Sequence, residues 1–70
     1  MPRPGKLIPK VPLAKIMMDS GAKRVADSAL EALSDYLEDY AAEISERAIR
    51  IAKHSGRKTV QKEDIKIALK

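Results

Sequence analysis

From Ser28 to the residue before Gly56 the chain contains neither proline nor glycine, and Ala29, Leu33, Tyr36, Leu37, Tyr40, Ile44, Ala48 and Ile51 recur there at helical spacing. A run with that period and no breaker predicts one continuous amphipathic helix. Its roughly 28 residues, at 1.5 Å each, reach about 40 Å, which exceeds the width of a globule made from so short a chain. Such a helix must protrude from the fold or cross something. Asp27 and Ser28 are its candidate caps, and Ser28 with Glu31 reads as a capping box.

The flanks predict two short helices. Pro2, Pro4 and Pro9 with Gly5 exclude helix from residues 1–11, an extended basic arm with two readings: Leu7 and Ile8 fold onto the body while Arg3, Lys6 and Lys10 reach for phosphate, or the arm is disordered, which is the expectation for residues 1–5. Pro12 suits the first position of a helix over about residues 12–20, with Leu13, Ile16 and Met17 on one face and Gly21 as its stop. After the basic segment from Gly56 to Val60, Ile65, Ala68 and Leu69 mark a last helix, with Glu63 and Asp64 in its first turn where the helix dipole favours acids.

A short, a long and a short helix cannot enclose the long helix's apolar stripe from within one chain. Two copies can, if the long helices cross antiparallel and each is covered by the partner's short helices; Leu33, Leu37, Tyr40, Ile44 and Ala48 are then the dimer core. A chain of this size buries only about 60% of its unfolded surface alone. With no Cys there is no disulfide to compensate, so a homodimer without a stable monomer is expected.

Charge is laid out in blocks. Residues 1–24 hold six bases against Asp19, residues 25–48 hold seven acids against Arg47, and residues 49–70 hold seven bases against Glu63 and Asp64. A polyanion must therefore be gripped by the two basic ends, with the acidic middle facing elsewhere. The overall charge of +4 and pI near 9.6 agree with an anionic partner. Lacking Cys and carrying one His, the chain excludes Cys/His zinc scaffolds and thiol nucleophiles, so no metal and no cofactor is expected. Asp35, Asp39 and Glu43 share a helix edge without a nucleophile or phosphate cradle beside them, so neither an enzyme nor a small-molecule substrate is expected. No apolar run approaches the roughly 20 residues of a membrane span, and a cytoplasmic protein is expected. Tyr36 and Tyr40 sit on the apolar stripe and are read as core, not as a stacking platform for single strands.

The run from Ile49 to Ile65, IRIAKHSGRKTVQKEDI, resembles the second loop and third helix of archaeal histones. Upstream, PLAKI from Pro12 and DSGAKRV from Asp19 resemble their first helix and first loop, so the likeness covers residues 12–70 without a gap. The resemblance implies an all-α histone fold of short, long and short helices forming a handshake dimer. It also implies a function: binding double-stranded DNA largely without sequence preference, and bending, wrapping and compacting it in the nucleoid. Arg24 is then the residue that enters the minor groove, the mode established for histone octamers. Lys15, Lys23, Lys58 and Thr59 meet phosphates, and Arg57 pairs with Asp64 to brace the second loop while lying on the DNA side. Ile51, His54 and Asp64 fall where archaeal histones join dimer to dimer, implying tetramers or longer stacks, and histone paralogues are further partners. Two positions depart from the pattern: Ala26 stands where relatives carry a capping Ser or Thr, and Met18 where a Lys is common. The competing reading is a histone-fold heterodimerisation module of a transcription complex.

Overall fold

The structure, a computed structural model, describes residues 7–70, and the regular elements among them are three helices: α1 (Lys10–Asp19), α2 (Asp27–His54) and α3 (Lys62–Ala68). The phosphate contacts expected of Arg3 and Lys6 and the disorder expected of residues 1–5 concern residues outside those described. Two compact units divide the chain, with the boundary inside α2 between Asp39 and Tyr40.

In the first unit, α1 begins at Lys10, so Lys10 and Val11 are helical and not part of an extended arm. Pro12 is tolerated inside the first turn because the first four N–H groups of a helix lack intrahelical acceptors in any case. The helix closes with Gly21 at φ 118. There the Gly21 N–H donates to the Met18 carbonyl at 3.0 Å and the Ala22 N–H to the Met17 carbonyl at 3.1 Å, the paired bonds of a Schellman ending. At the start of α2 the Ala26 carbonyl accepts from the Ala29 and Leu30 N–H groups, which makes Ala26 the cap residue. Asp27 and Ser28, the expected caps, instead lie within the first turn.

Within this unit α2 buries a face beside the predicted stripe, whose expected cover is a second copy. Leu30, Ser34 and Glu38 are buried together with Leu13 of α1, whereas Tyr36 stays 63% exposed. The cause is the segment before α1. Ser34 Oγ donates to the Ile8 carbonyl at 2.8 Å, and the Leu7 N–H donates to the Glu38 carboxylate. Backbone polar groups of the arm thus find partners on two polar residues of α2, which is why Ser and Glu occupy buried positions without an orphaned side-chain atom.

In the second unit, Ile44 and Ala48 of α2 form a core with Ala68 of α3, and Ile51 packs against it. Arg47 fastens the pair of helices by donating to the Ala68 carbonyl at 3.2 Å, and it also pairs with Glu43 at 2.9 Å. α2 ends as α1 does: Gly56 has φ 75, its N–H donates to the Lys53 carbonyl at 2.9 Å, and the Arg57 N–H donates to the Ala52 carbonyl at 2.9 Å. α3 presents Asp64 and Ala68 inward, while Ile65 and Leu69, expected to be its apolar face, remain exposed. A single chain therefore leaves Ile16, Tyr36, Tyr40, Ile65 and Leu69 in solvent.

Candidate nucleic-acid interface

Two loops carry the cations that the charge blocks point to. The first, residues 20–26, follows the Gly21 turn, and its Lys23 and Arg24 are exposed, with no carboxylate paired to them among the described residues. Lys15, one helix turn above, is exposed and meets Asp19 at 3.6 Å. An ion pair this exposed contributes about 0–1 kcal/mol and leaves Lys15 available to another anion.

The second loop, residues 55–61, is built around Arg57. Its guanidinium donates to both Asp64 carboxylate oxygens at 2.8 Å and to the Thr59 carbonyl at 3.1 Å. Asp64 accepts a further bond at 2.8 Å from the Gln61 N–H, closing the entry to α3. The Arg57 hydrogen bonds, then the Gln61 N–H, hold the Asp64 carboxyl at about 2, against the opposing effect of burial. The same bond to Asp64 raises the Arg57 guanidinium above its ordinary value. Fork-to-fork geometry of this kind fixes the loop's path, and it leaves Lys58 and the Thr59 side chain pointing into solvent.

Of the seven residues expected on DNA, Lys23, Arg24, Lys58 and Thr59 are exposed on the two loops and Lys15 lies beside the first. Lys10 and Arg57 are engaged elsewhere. Lys10 Nζ sits 3.2 Å from both Asp27 oxygens and 3.8 Å from Glu31, tying α1 to the start of α2. Arg57 serves its loop. The Lys10 clasp and the Ser34 and Glu38 anchors escaped sequence reasoning, since nothing in the pattern marks polar residues 17 to 31 positions apart as partners.

The residues expected between dimers are also separated. Ile51 and His54 line an open groove of about 540 Å³ between the end of α2 and α3, whereas Asp64 is 1% exposed and committed to Arg57. Leu33 and Leu37 are half-buried and Tyr40 is 41% exposed, while Ile44 and Ala48 are covered by their own chain. Among the described residues no cluster of acids and histidines is arranged to hold a metal ion, and no helix is long and apolar enough to cross a membrane.

Residues 6–69 match the family model described as histone-like transcription factor (CBF/NF-Y) and archaeal histone. The chain is 43% identical over 63 residues to one of the subunits of archaeal histone HAN1 from Thermococcus zilligii, covering 90% of this chain and 94% of that one. It is 40% identical over 63 residues, with the same coverage, to probable archaeal histone 3 of Methanocaldococcus jannaschii.

Proposed function

Because the chain belongs to the family of histone-like transcription factors (CBF/NF-Y) and archaeal histones, we propose that it is an archaeal-type histone, a homodimer that binds double-stranded DNA with little regard to sequence and bends and compacts it. The observation that carries this reading is the display of Lys23, Arg24 and Lys58 on two loops, exposed and without an Asp or Glu partner among the described residues, while Asp27, Glu31 and Asp64 are engaged by Lys10 and Arg57. Loop cations and loop amides positioned this way meet phosphates, and a guanidinium suits a narrowed minor groove. The uncovered Tyr36, Tyr40, Ile65 and Leu69 support pairing with a second copy, since so many large apolar side chains in water would leave a monomer marginal. Pairing first loop with second loop across two copies would join the basic ends into one patch.

The test is a salt-titrated gel shift on several unrelated duplexes. Affinity is expected to vary little between sequences and to fall with a log–log slope near about −9 if a dimer neutralises roughly ten phosphates. Arg24→Ala should weaken every duplex alike and reduce bending. Unchanged affinity and bend angle in that variant would remove Arg24 from the interface. A second reading, partnership with a different histone-fold chain, draws on the name of the Thermococcus relative, which describes it as one subunit of a histone. Light scattering of the purified chain separates the two: a folded homodimer supports the first, and an unfolded chain rescued by a partner supports the second.

A further inference from the structure

Four cations of the first unit are expected on DNA, and the fold treats them differently. Lys23 and Arg24 have no carboxylate partner among the described residues, Lys15 meets only Asp19 of its own helix, and Lys10 is held by two acids of another helix. Its Nζ lies 3.2 Å from both Asp27 oxygens and 3.8 Å from Glu31 Oε1. Exposed ion pairs are usually weak because long side chains must be immobilised to form them. Here much of that ordering is done beforehand. The backbone just before Lys10 is fastened to α2, with the Ile8 carbonyl accepting from Ser34 and the Leu7 N–H donating to Glu38, and Lys10 itself opens α1. Its side chain is 34% exposed, against 77% for that of Lys15.

The clasp stands beside the first loop. Asp27 follows Arg24 by three residues, a span of at most about 11 Å, close to the distance of about 10 Å over which charges act through 0.1 M salt. Lys10, Asp27 and Glu31 together carry one positive and two negative charges. Moving Lys10 to a phosphate would gain one ion pair, lose another and leave two bare carboxylates beside the DNA backbone. Resting on the histone reading, we propose that Asp27 and Glu31 keep Lys10 off bound DNA, an autoinhibitory clasp that limits how many phosphates each chain neutralises. The clasp stays closed in the complex, because the duplex offers Lys10 no net gain while both acids are charged. Lys10 is a cation in reserve, and the two acids set affinity without touching DNA.

The test compares the unaltered chain with the double variant Asp27→Asn with Glu31→Gln, with Lys10→Ala, and with the triple variant, in salt-titrated gel shifts on unrelated duplexes. Both amide replacements are nearly isosteric, and circular dichroism with light scattering checks that fold and assembly are kept. With the acids neutralised, the log–log salt slope should steepen by about 0.9 for each Lys10 released, so by about 1.8 for a homodimer, and affinity at low salt should rise about tenfold. Adding Lys10→Ala to that variant should cancel the steepening. In the otherwise unaltered chain, Lys10→Ala should weaken binding, because the acids lose their cover, yet leave the slope as it was. Brief acetylation read by mass spectrometry supplies a second measurement: duplex should protect Lys23 but not Lys10 in the unaltered chain, and both in the double variant. An unchanged slope in the double variant overturns the proposal. So does a steepening that survives Lys10→Ala, which would mean that the acids repel phosphate directly, and so does protection of Lys10 in the unaltered chain, which would put it on DNA already. Each of these leaves the unaltered chain binding duplex, so the histone reading survives them. Failure of that reading would show instead as no retarded duplex at all, and would take the clasp with it.

Discussion

The two basic loops are alike in how they begin and unlike in how they are held. Each follows a helix closed by a glycine at positive φ, and each offers exposed cations with no Asp or Glu partner among the described residues. In the second loop Arg57 reaches across to Asp64 and back to the Thr59 carbonyl, so the path of the backbone is set by side chains of the loop and of α3. No side chain between Gly21 and Ala26 makes such a bond among the described residues. The second loop presents Lys58 from a scaffold already formed, whereas the first relies on its flanking helix ends. An anion binding the first loop must therefore order more of it, and ordering subtracts from affinity.

The strongest way to break this contrast is Asp64→Asn. Losing the charge of a buried partner leaves the Arg57 guanidinium poorly matched and weakens the N-terminal closure of α3. The expected result is the largest fall in urea midpoint of the changes considered, with faster amide exchange across residues 57–61 and little change across 21–26. Equal loosening of both loops would show that the brace is not local. Acid provides the same test without mutation. The Asp64 carboxyl is held at about 2, below the ordinary carboxylate value of about 3.9. Its contribution is therefore complete above about pH 4 and is lost as pH falls through about 2. Exchange measured between pH 5 and 2 should loosen the second loop only at the acid end of that range.

A smaller effect sharpens what the loops share. Nothing lies within 4 Å of a Cβ built at Gly21 or Gly56, so alanine there is opposed by backbone conformation alone. Gly56→Ala should cost about 1–2 kcal/mol in thermal unfolding, the penalty of a left-handed conformation for a residue with Cβ. Gly21→Ala should cost more, because φ 118 lies well beyond the left-handed well near 57°. The reverse order would mean that loop packing sets the cost. Least in magnitude, Lys58→Ala and Lys23→Ala should each reduce the salt slope of DNA binding by about one for every phosphate no longer neutralised. Because its loop is already formed, Lys58 should show the change chiefly in dissociation rate.

Much of the helical layout is legible from periodicity and breakers. The long helix announces itself because nothing interrupts it from Ser28 to Ser55, and Gly21 and Gly56 mark both turns. The start of α1 is misplaced by sequence because a proline compatible with several first-turn positions looks like a beginning wherever it stands. The face that the first half of α2 turns to its own chain is not legible, because apolar spacing cannot reveal that Ser34 and Glu38 meet the backbone of residues 7 and 8. On the candidate interface, sequence supplies the cations but not their occupancy: Lys10 and Lys23 look equally free until Asp27 and Glu31 are seen beside one of them.

By itself the order of residues determined three helices, two glycine turns and the segregation of charge, since each depends on neighbours within a few positions along the chain. Only the tertiary structure decided which cations are spent internally and which remain available, and which apolar side chains a single chain leaves uncovered. Those outcomes depend on groups distant in sequence competing for the same partner. Hydrogen-bond distance and burial settle that competition, and neither is written in spacing.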